Sequence, residues 1–395
     1  MALKLIIGSA RSEKSEAMYK DLIRLSLEHS DINYILIVPE QYSLRTQRKI
    51  ADMHPHGGTM NIDVLTFKRL AYRIFEELGT VDRTVLSDIE KSMYVRKILE
   101  EQKDRLSLFG SYAGREGFID ETKKVISDIM ESKADPVTLL GIADREEAER
   151  PLFAAKIRDT LVVYEEFRRM MGESRITEED ILDILTQVTE KSEIIKNSYI
   201  YLDEFNSFSP AQYDLIRALL ERSRGLIASL TIDPAAKPYD HANEYELFAV
   251  TKDTLEKLEK LCADAHIRRE EDLIVNNSGE AGPPEITALA KNIYRFKRGV
   301  CSGECRDVSS YLCAGPDDEM RCIARTIKNL VMKEGLRYRD IAVVTASIET
   351  YEKYAKRHFA KENIPCFIDS TRPLSGNACA KLIKALIALC EENYS

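Results

Sequence analysis

Leu3-Lys4-Leu5-Ile6-Ile7, followed by Gly8-Ser9-Ala10-Arg11-Ser12-Glu13-Lys14-Ser15, is the stretch on which the fold turns. The leading residues form a short apolar run of the kind buried in a sheet, Gly8 closes it, and a helix-like pattern continues through Leu27. A strand, a polar turn and a helix in that order are where a phosphate-binding loop belongs. Backbone N–H groups cradle the phosphate, a lysine reaches its outer oxygens, and a hydroxyl holds Mg²⁺. Gly8, Lys14 and Ser15 fit the pattern G-x-x-x-x-G-K-[ST], but Glu13 stands where the second glycine belongs. A side chain there crowds the loop, and its carboxylate repels phosphate. An ordinary capped turn with Lys14 in solvent is the competing reading.

Outward from this loop, a second apolar run at 34–38 ends at Pro39. Apolar runs alternating with helical patterns predict βαβ units around a parallel sheet, an α/β fold. After Gly79 the texture changes. Ser87-Asp88-Ile89-Glu90 carries a capping-box signature, and apolar stripes follow, such as Val125, Ile126, Ile129 and Met130. Thr177 with Asp180 starts a further helix, so the sequence predicts helices only from about 85 to 190. Strands return at 199–202 and 226–232, with a helix between them capped by Ser209 and opened by Pro210. The turn-rich residues 276–284 read as a loop. A second α/β unit is expected after Gly299, with strands at 311–314, 341–345 and 366–368 and helices at 319–333 and 351–361. It ends directly after the stripe Leu382, Ile383, Leu386 and Leu389, as an unfinished piece of a longer chain would.

The 395 residues are 44% hydrophobic and 31% charged, a soluble globular balance that excludes wholesale disorder. No stretch approaches the roughly 18–20 uncharged apolar residues that cross a bilayer, and the N-terminus is too short a run for a secretory signal. Eight cysteines at this length fit free thiols in a reducing compartment, so a cytoplasmic protein with no membrane partner is expected. The net charge of −9 argues against a chain that coats nucleic acid nonspecifically, yet leaves room for a local basic channel. Cys301 and Cys305 are spaced too loosely for a zinc site, and His54 and His56 read as a turn, so no metal ligands are assigned.

Tyr199-Ile200-Tyr201-Leu202-Asp203-Glu204-Phe205 is an apolar strand ending in two acids, the form a Walker B element takes. There the aspartate positions Mg²⁺ and the glutamate orients the attacking water. With its continuation through Asn206-Ser207-Phe208-Ser209-Pro210-Ala211-Gln212 it resembles motif II of the UvrD-like (superfamily 1) helicases. Val64-Leu65-Thr66-Phe67-Lys68-Arg69-Leu70-Ala71 resembles their motif Ia. Arg339 to Val344 and Asn363 to Phe367 resemble the start of their second motor domain. Ile37-Val38-Pro39-Glu40-Gln41 and the run from Thr66 to Arg73 are most similar to the AddB family, which supplies one of the two chains of bacterial AddAB (RexAB) ATP-dependent helicase/nucleases.

That resemblance implies a RecA-like P-loop motor domain 1A at 1–84 and 195–298, an all-helical insertion 1B at 85–194, and the start of a second RecA-like domain 2A at 299–395. It implies ATP and Mg²⁺ at Gly8, Lys14 and Ser15, with Asp203 and Glu204 as the catalytic pair. The family's nuclease domain and iron–sulfur cluster lie beyond this segment. Besides Glu13, Thr345 and Ala346 stand where the superfamily's motif IV arginine is expected, and no motif III glutamine follows Thr231-Ile232-Asp233-Pro234. These departures favour a protein that holds and scans single-stranded DNA for a Chi-type hotspot during double-strand break repair. An AddA-type partner would drive translocation along duplex DNA. Gln41, Ser43, Thr66, Phe67, Arg69, Tyr72 and Phe208 are the candidate DNA-binding residues, since reading a strand takes stacking faces, amides and cations. Arg45, Arg48, Lys49, Lys68 and Arg73 are candidate backbone cations. A core role for Phe67 and Phe208 competes with this assignment. An active helicase motor using Lys14, Ser15, Asp203 and Glu204 is the alternative function, and a small-molecule P-loop enzyme would leave motif II unexplained.

Overall fold

The computed structural model describes residues 2–10, 12–58, 60–79, 84–172, 175–240, 243, 245–275, 283–293, 295, 299, 305–370 and 374–391. The chain divides into two compact units, Met1–Ser302 and Gly303–Ser395.

The first unit opens with β1 (Ala2–Gly8), α1 (Lys14–Glu28), β2 (Asn33–Ile37), α2 (Glu40–Met53), β3 (Ile62–Leu65) and α3 (Phe67–Leu78). A short β4 (Thr84–Val85) leads into α4 (Asp88–Glu101), α5 (Glu116–Ser132), α6 (Pro136–Glu146) and α7 (Pro151–Met171). Then follow β5 (Arg175–Ile176), α8 (Asp180–Val188), α9 (Glu193–Lys196), β6 (Ser198–Leu202), α10 (Pro210–Arg222) and β7 (Gly225–Thr231). The unit closes with α11 (Ala249–Asp264), β8 (Arg268–Arg269), β9 (Leu273–Val275) and α12 (Pro284–Asn292).

The main sheet has the order β3-β2-β6-β7-β1-β8, with β9 also on β1, and every pairing is parallel. Its strands are apolar on both faces because helices cover both. Leu3, Leu5 and Ile7, with Ile35, Ile37, Ile200 and Leu202, face a core shared with Leu70, Ile74, Leu215, Ile216, Leu255 and Leu258 of α3, α10 and α11. Ile6, Tyr34, Leu36 and Tyr201 face the other way, onto Met18, Tyr19, Leu22 and Ile50 of α1 and α2. The alternation along each strand is what sorts the two sets.

Local sequence sets the helix starts. Ser209 Oγ accepts from the Gln212 N–H at 3.3 Å while Gln212 Oε1 accepts from the Ser209 N–H at 2.9 Å, with Pro210 at the first helical position. Ser87 and Glu90 form the same reciprocal box at α4. The Asp180 carboxylate accepts from the backbone and hydroxyl of Thr177 at the start of α8. The expectation of helices alone from 85 to 190 is corrected by β4 and β5. Thr84 pairs with Arg175 and Val85 with Ile176, a two-stranded parallel sheet between segments far apart in sequence. Helices α4, α5 and α7 share a core of Val95, Ile98, Leu99, Ile126, Val163 and Phe167. Buried Asp159 on α7 accepts from the N–H groups of Ser107, Leu108 and Phe109 at 3.0, 2.7 and 2.9 Å, pinning that connection.

In the second unit, α13 (Pro316–Glu334) packs on α14 (Ile348–Lys361) through Met320, Ala324, Ile327, Ala355 and Phe359, and α15 (Ala378–Glu391) follows. The strands expected at 311–314, 341–345 and 366–368 are not formed; those residues have no regular secondary structure and no ladder partner. Val344 is 92% exposed and Phe367 89% exposed, so the apolar pattern is real but no neighbouring strand meets it here. The loop expected at 276–284 falls mostly outside the described residues, and Pro284 already opens α12.

Candidate functional site at the carboxyl edge of the sheet

Because the strands are parallel, their carboxyl ends share one edge, the edge where open α/β sheets place their ligands. Read across that edge, the positions are α3 after β3, α2 after β2, Asp203 after β6, the end of β7, and the 8–15 loop after β1. Gly8 pairs with Thr231 at the end of β7, and the β6–β7 register sets Leu202 beside Ala228. One strand therefore separates the loop from Asp203, and α1 spans the gap.

Asp203 is fully buried, its N–H donating to the Ile37 carbonyl at 3.1 Å. Its Oδ1 accepts from the Ser15 hydroxyl at 3.0 Å and from the Ser229 hydroxyl, and its Oδ2 accepts from the Tyr19 hydroxyl at 2.6 Å. Burial first, and then the neighbouring Asp203, push the Tyr19 phenol far above its ordinary value, so it stays a donor. Lys49 of α2 lies 5.5 Å above the Tyr19 ring. Glu204, the second expected catalytic acid, is exposed and has a left-handed backbone with φ 64°.

The loop keeps a glycine-shaped backbone without the glycine. Glu13 sits at φ 60°, ψ 18° in the left-handed region, a placement that costs a residue with a Cβ about 1–2 kcal/mol. Its side chain is exposed at the entrance of α1, with Lys14 and Ser15 half-buried behind it. The turn is closed onto Gly8. A Cβ there would lie 2.2 Å from Ser12 Oγ and 3.2 Å from the Val275 carbonyl. The Ser12 hydroxyl is buried with no hydrogen-bond partner among the described residues. Magnesium demands a near-ideal octahedron of oxygens at about 2.0–2.1 Å. Asp203 and Ser15 do not offer one as they stand, since both carboxylate oxygens and the Ser15 hydroxyl are engaged with one another and with Tyr19 and Ser229. Among the described residues no group of three or more His, Cys, Asp or Glu stands close enough to hold a metal.

The other half of the edge carries the candidate strand-binding residues. Gln41 and Arg69 are exposed near the first turns of α2 and α3, and Tyr72 is 40% exposed one turn further along α3. Thr66 caps α3, its Oγ1 accepting from the Arg69 N–H at 3.2 Å. Phe67 and Phe208 are only 6% and 8% exposed and pack with Phe205 at ring separations of 5.5 and 5.0 Å. Phe67 and Phe208 meet edge to face, with ring centroids 6.4 Å apart, and Ser43 is buried on the inner side of α2. Of the candidate cations, Lys68 pairs with Glu178 and Arg73 with Asp63, while Arg45 and Arg48 are exposed on α2.

Tyr19 and Ser229 were not legible as site residues. An aromatic on the apolar face of α1 reads as core. Ser229, however, interrupts the run Leu226-Ile227-Ala228-Ser229-Leu230, and a hydroxyl inside a central strand signals a buried partner.

Residues 5–290 match the family model described as ADDB, N-terminal, which takes in the sheet, the 8–15 loop and the Asp203 cage. The chain belongs to this family. Its relatives include proteins named as the B subunit of an ATP-dependent helicase/deoxyribonuclease. The one from Lachnoclostridium phytofermentans is 32% identical over 400 aligned positions, and that from Clostridium acetobutylicum 31% over 399. Another from Caldanaerobacter subterraneus subsp. tengcongensis is 29% identical over 402. Each alignment covers 100% of this chain and 34–35% of the relative, so this member of the ADDB N-terminal family spans about a third of those proteins' length. No helix of the described residues is long and apolar enough to cross a membrane.

Proposed function

We propose that this chain is the N-terminal, helicase-like portion of the AddB-type component of an ATP-dependent helicase/exonuclease complex, holding single-stranded DNA for a Chi-type hotspot search in double-strand break repair. The family match and the shared name of its relatives support the complex. In this reading 1–84 and 195–298 are a RecA-like domain 1A, 85–194 a helical 1B and 299–395 the beginning of 2A. An AddA-type partner in the same cytoplasmic complex moves the DNA. The all-parallel sheet and the separate core of α4, α5 and α7 support the division of the first unit.

A single observation carries the reading. The same sheet edge presents an exposed amide, guanidinium and aromatic ring on one half, and an acid held by three hydroxyls behind a loop with Glu13 in place of glycine on the other. A single strand needs the first set: stacking for bases, amides and guanidinium groups for their edges, and cations for phosphates. Turnover of ATP needs an acid free to position a metal, and the hydroxyls on both oxygens of Asp203 weigh against that role. Phe67 and Phe208 then serve as the wall against which the gripping residues are set, and Thr66 fixes the start of their helix.

The test is single-strand-stimulated ATP hydrolysis by the assembled complex carrying Lys14→Ala in this chain. Turnover within about twofold of wild type is expected, because the mutated loop contributes none. A loss of tenfold or more would overturn the reading in favour of an active motor.

A further inference from the structure

Asp203 has three hydroxyl donors, and one of them has no counterpart in what a metal-binding acid requires. Ser15 belongs to the loop, and Ser229 reaches across from the adjacent central strand β7. Tyr19 comes from one turn deeper in α1, and its hydroxyl alone takes Oδ2, at 2.6 Å. A cation approaching Asp203 from the loop would need that oxygen or a water on it. The phenol is already there, inside a core formed with Met18, Leu22 and Tyr201.

We propose that Tyr19 stands in for the divalent cation at Asp203, so that the acid is a hydroxyl-caged post tying α1 to β6 and β7 and the site takes no metal ion. The proposal deepens the reading of the loop as an unfuelled relic, and it rests on that reading only for its meaning. Tyr19 is a positioning residue here. Hydrogen bonds from neutral hydroxyls to a carboxylate are charge-assisted and stronger than those between neutral groups.

The experiment probes the metal alone, without nucleotide. Mn²⁺ is titrated against the 395-residue chain and the free-ion signal followed by electron paramagnetic resonance. Wild type and Asp203→Asn are expected to leave the same free-ion signal. Tyr19→Phe is expected to bind at least tenfold more Mn²⁺ than wild type, and to lose the gain when Asp203→Asn is added. Mn²⁺ held by wild type and released by Asp203→Asn would overturn the proposal. So would a cooperatively melting Tyr19→Phe that binds no more than wild type. The wild-type comparison decides by itself where Tyr19→Phe does not fold. Nucleotide binding is measured separately with Mg²⁺ and with a chelator. Its absence would agree with the unfuelled loop and with the cage, whereas affinity raised tenfold by Mg²⁺ in wild type would overturn the cage.

Discussion

Asp203→Ala is expected to destabilise the first unit by about 3–5 kcal/mol, a large part of the stability of an ordinary domain. The reason is asymmetry. A hydrogen bond to a charged group contributes about 1.5–3 kcal/mol, and each buried donor left without an acceptor costs its desolvation penalty of about 1–3 kcal/mol. Removing the carboxylate strands the hydroxyls of Tyr19 and Ser229, both buried. It also cuts the tie between α1 and the centre of the sheet. Glu204→Ala, one residue on and exposed, is expected to change stability by no more than about 0.5 kcal/mol. Urea unfolding followed by circular dichroism separates the two. An Asp203→Ala loss below about 1 kcal/mol would mean that the cage is not a structural post.

Joint replacement of Arg69 and Tyr72 by alanine is expected to weaken single-stranded DNA binding by about a hundredfold. Stacking on an aromatic face is worth roughly 1–3 kcal/mol per base, and every 1.4 kcal/mol is tenfold in affinity. Tyr72 is an exposed ring on this edge, while Phe67 and Phe208 are buried. In the proposed grip Arg69 supplies a phosphate contact, and its loss is expected to lower the salt dependence of binding by about one released ion. Both side chains are exposed or half-exposed, so the melting temperature should not move. Fluorescence anisotropy with a labelled oligothymidylate, at two salt concentrations and with the protein in its complex, reads both effects. A change smaller than about threefold would move the grip away from α3.

Much of the first unit was legible because its signals are local. Apolar runs flanked by turn formers at 3–7 and 199–202 became β1 and β6, and the reciprocal boxes at Ser87 and Ser209 start α4 and α10 as their spacing demands. What failed was non-local. β4 and β5 are pairs of residues whose only reason to be strands is each other, across a span of helices. β3, Ile62-Asp63-Val64-Leu65, is half-buried and so lacks the full apolar run that marks a central strand. Residues 341–345 have the composition of a strand, but a strand exists only where a neighbour accepts its hydrogen bonds. At the site, the two motifs assigned Ser15 and Asp203 separate roles on Mg²⁺, and the direct bond between them was not read from the sequence. Nor was the closure by Tyr19, since a tyrosine facing a core and a tyrosine facing a buried carboxylate look alike in sequence.

The measurement that bears most directly on the account is site-specific photocrosslinking to single-stranded DNA. A benzophenone side chain is placed at Tyr72, on the carboxyl edge of the sheet, or at Lys196, just before β6 on the amino edge. Both positions are exposed, so either probe is tolerated. Labelling at position 72 and none at 196 is the predicted result. Labelling that is equal at the two, or confined to 196, would contradict a strand held at the carboxyl edge.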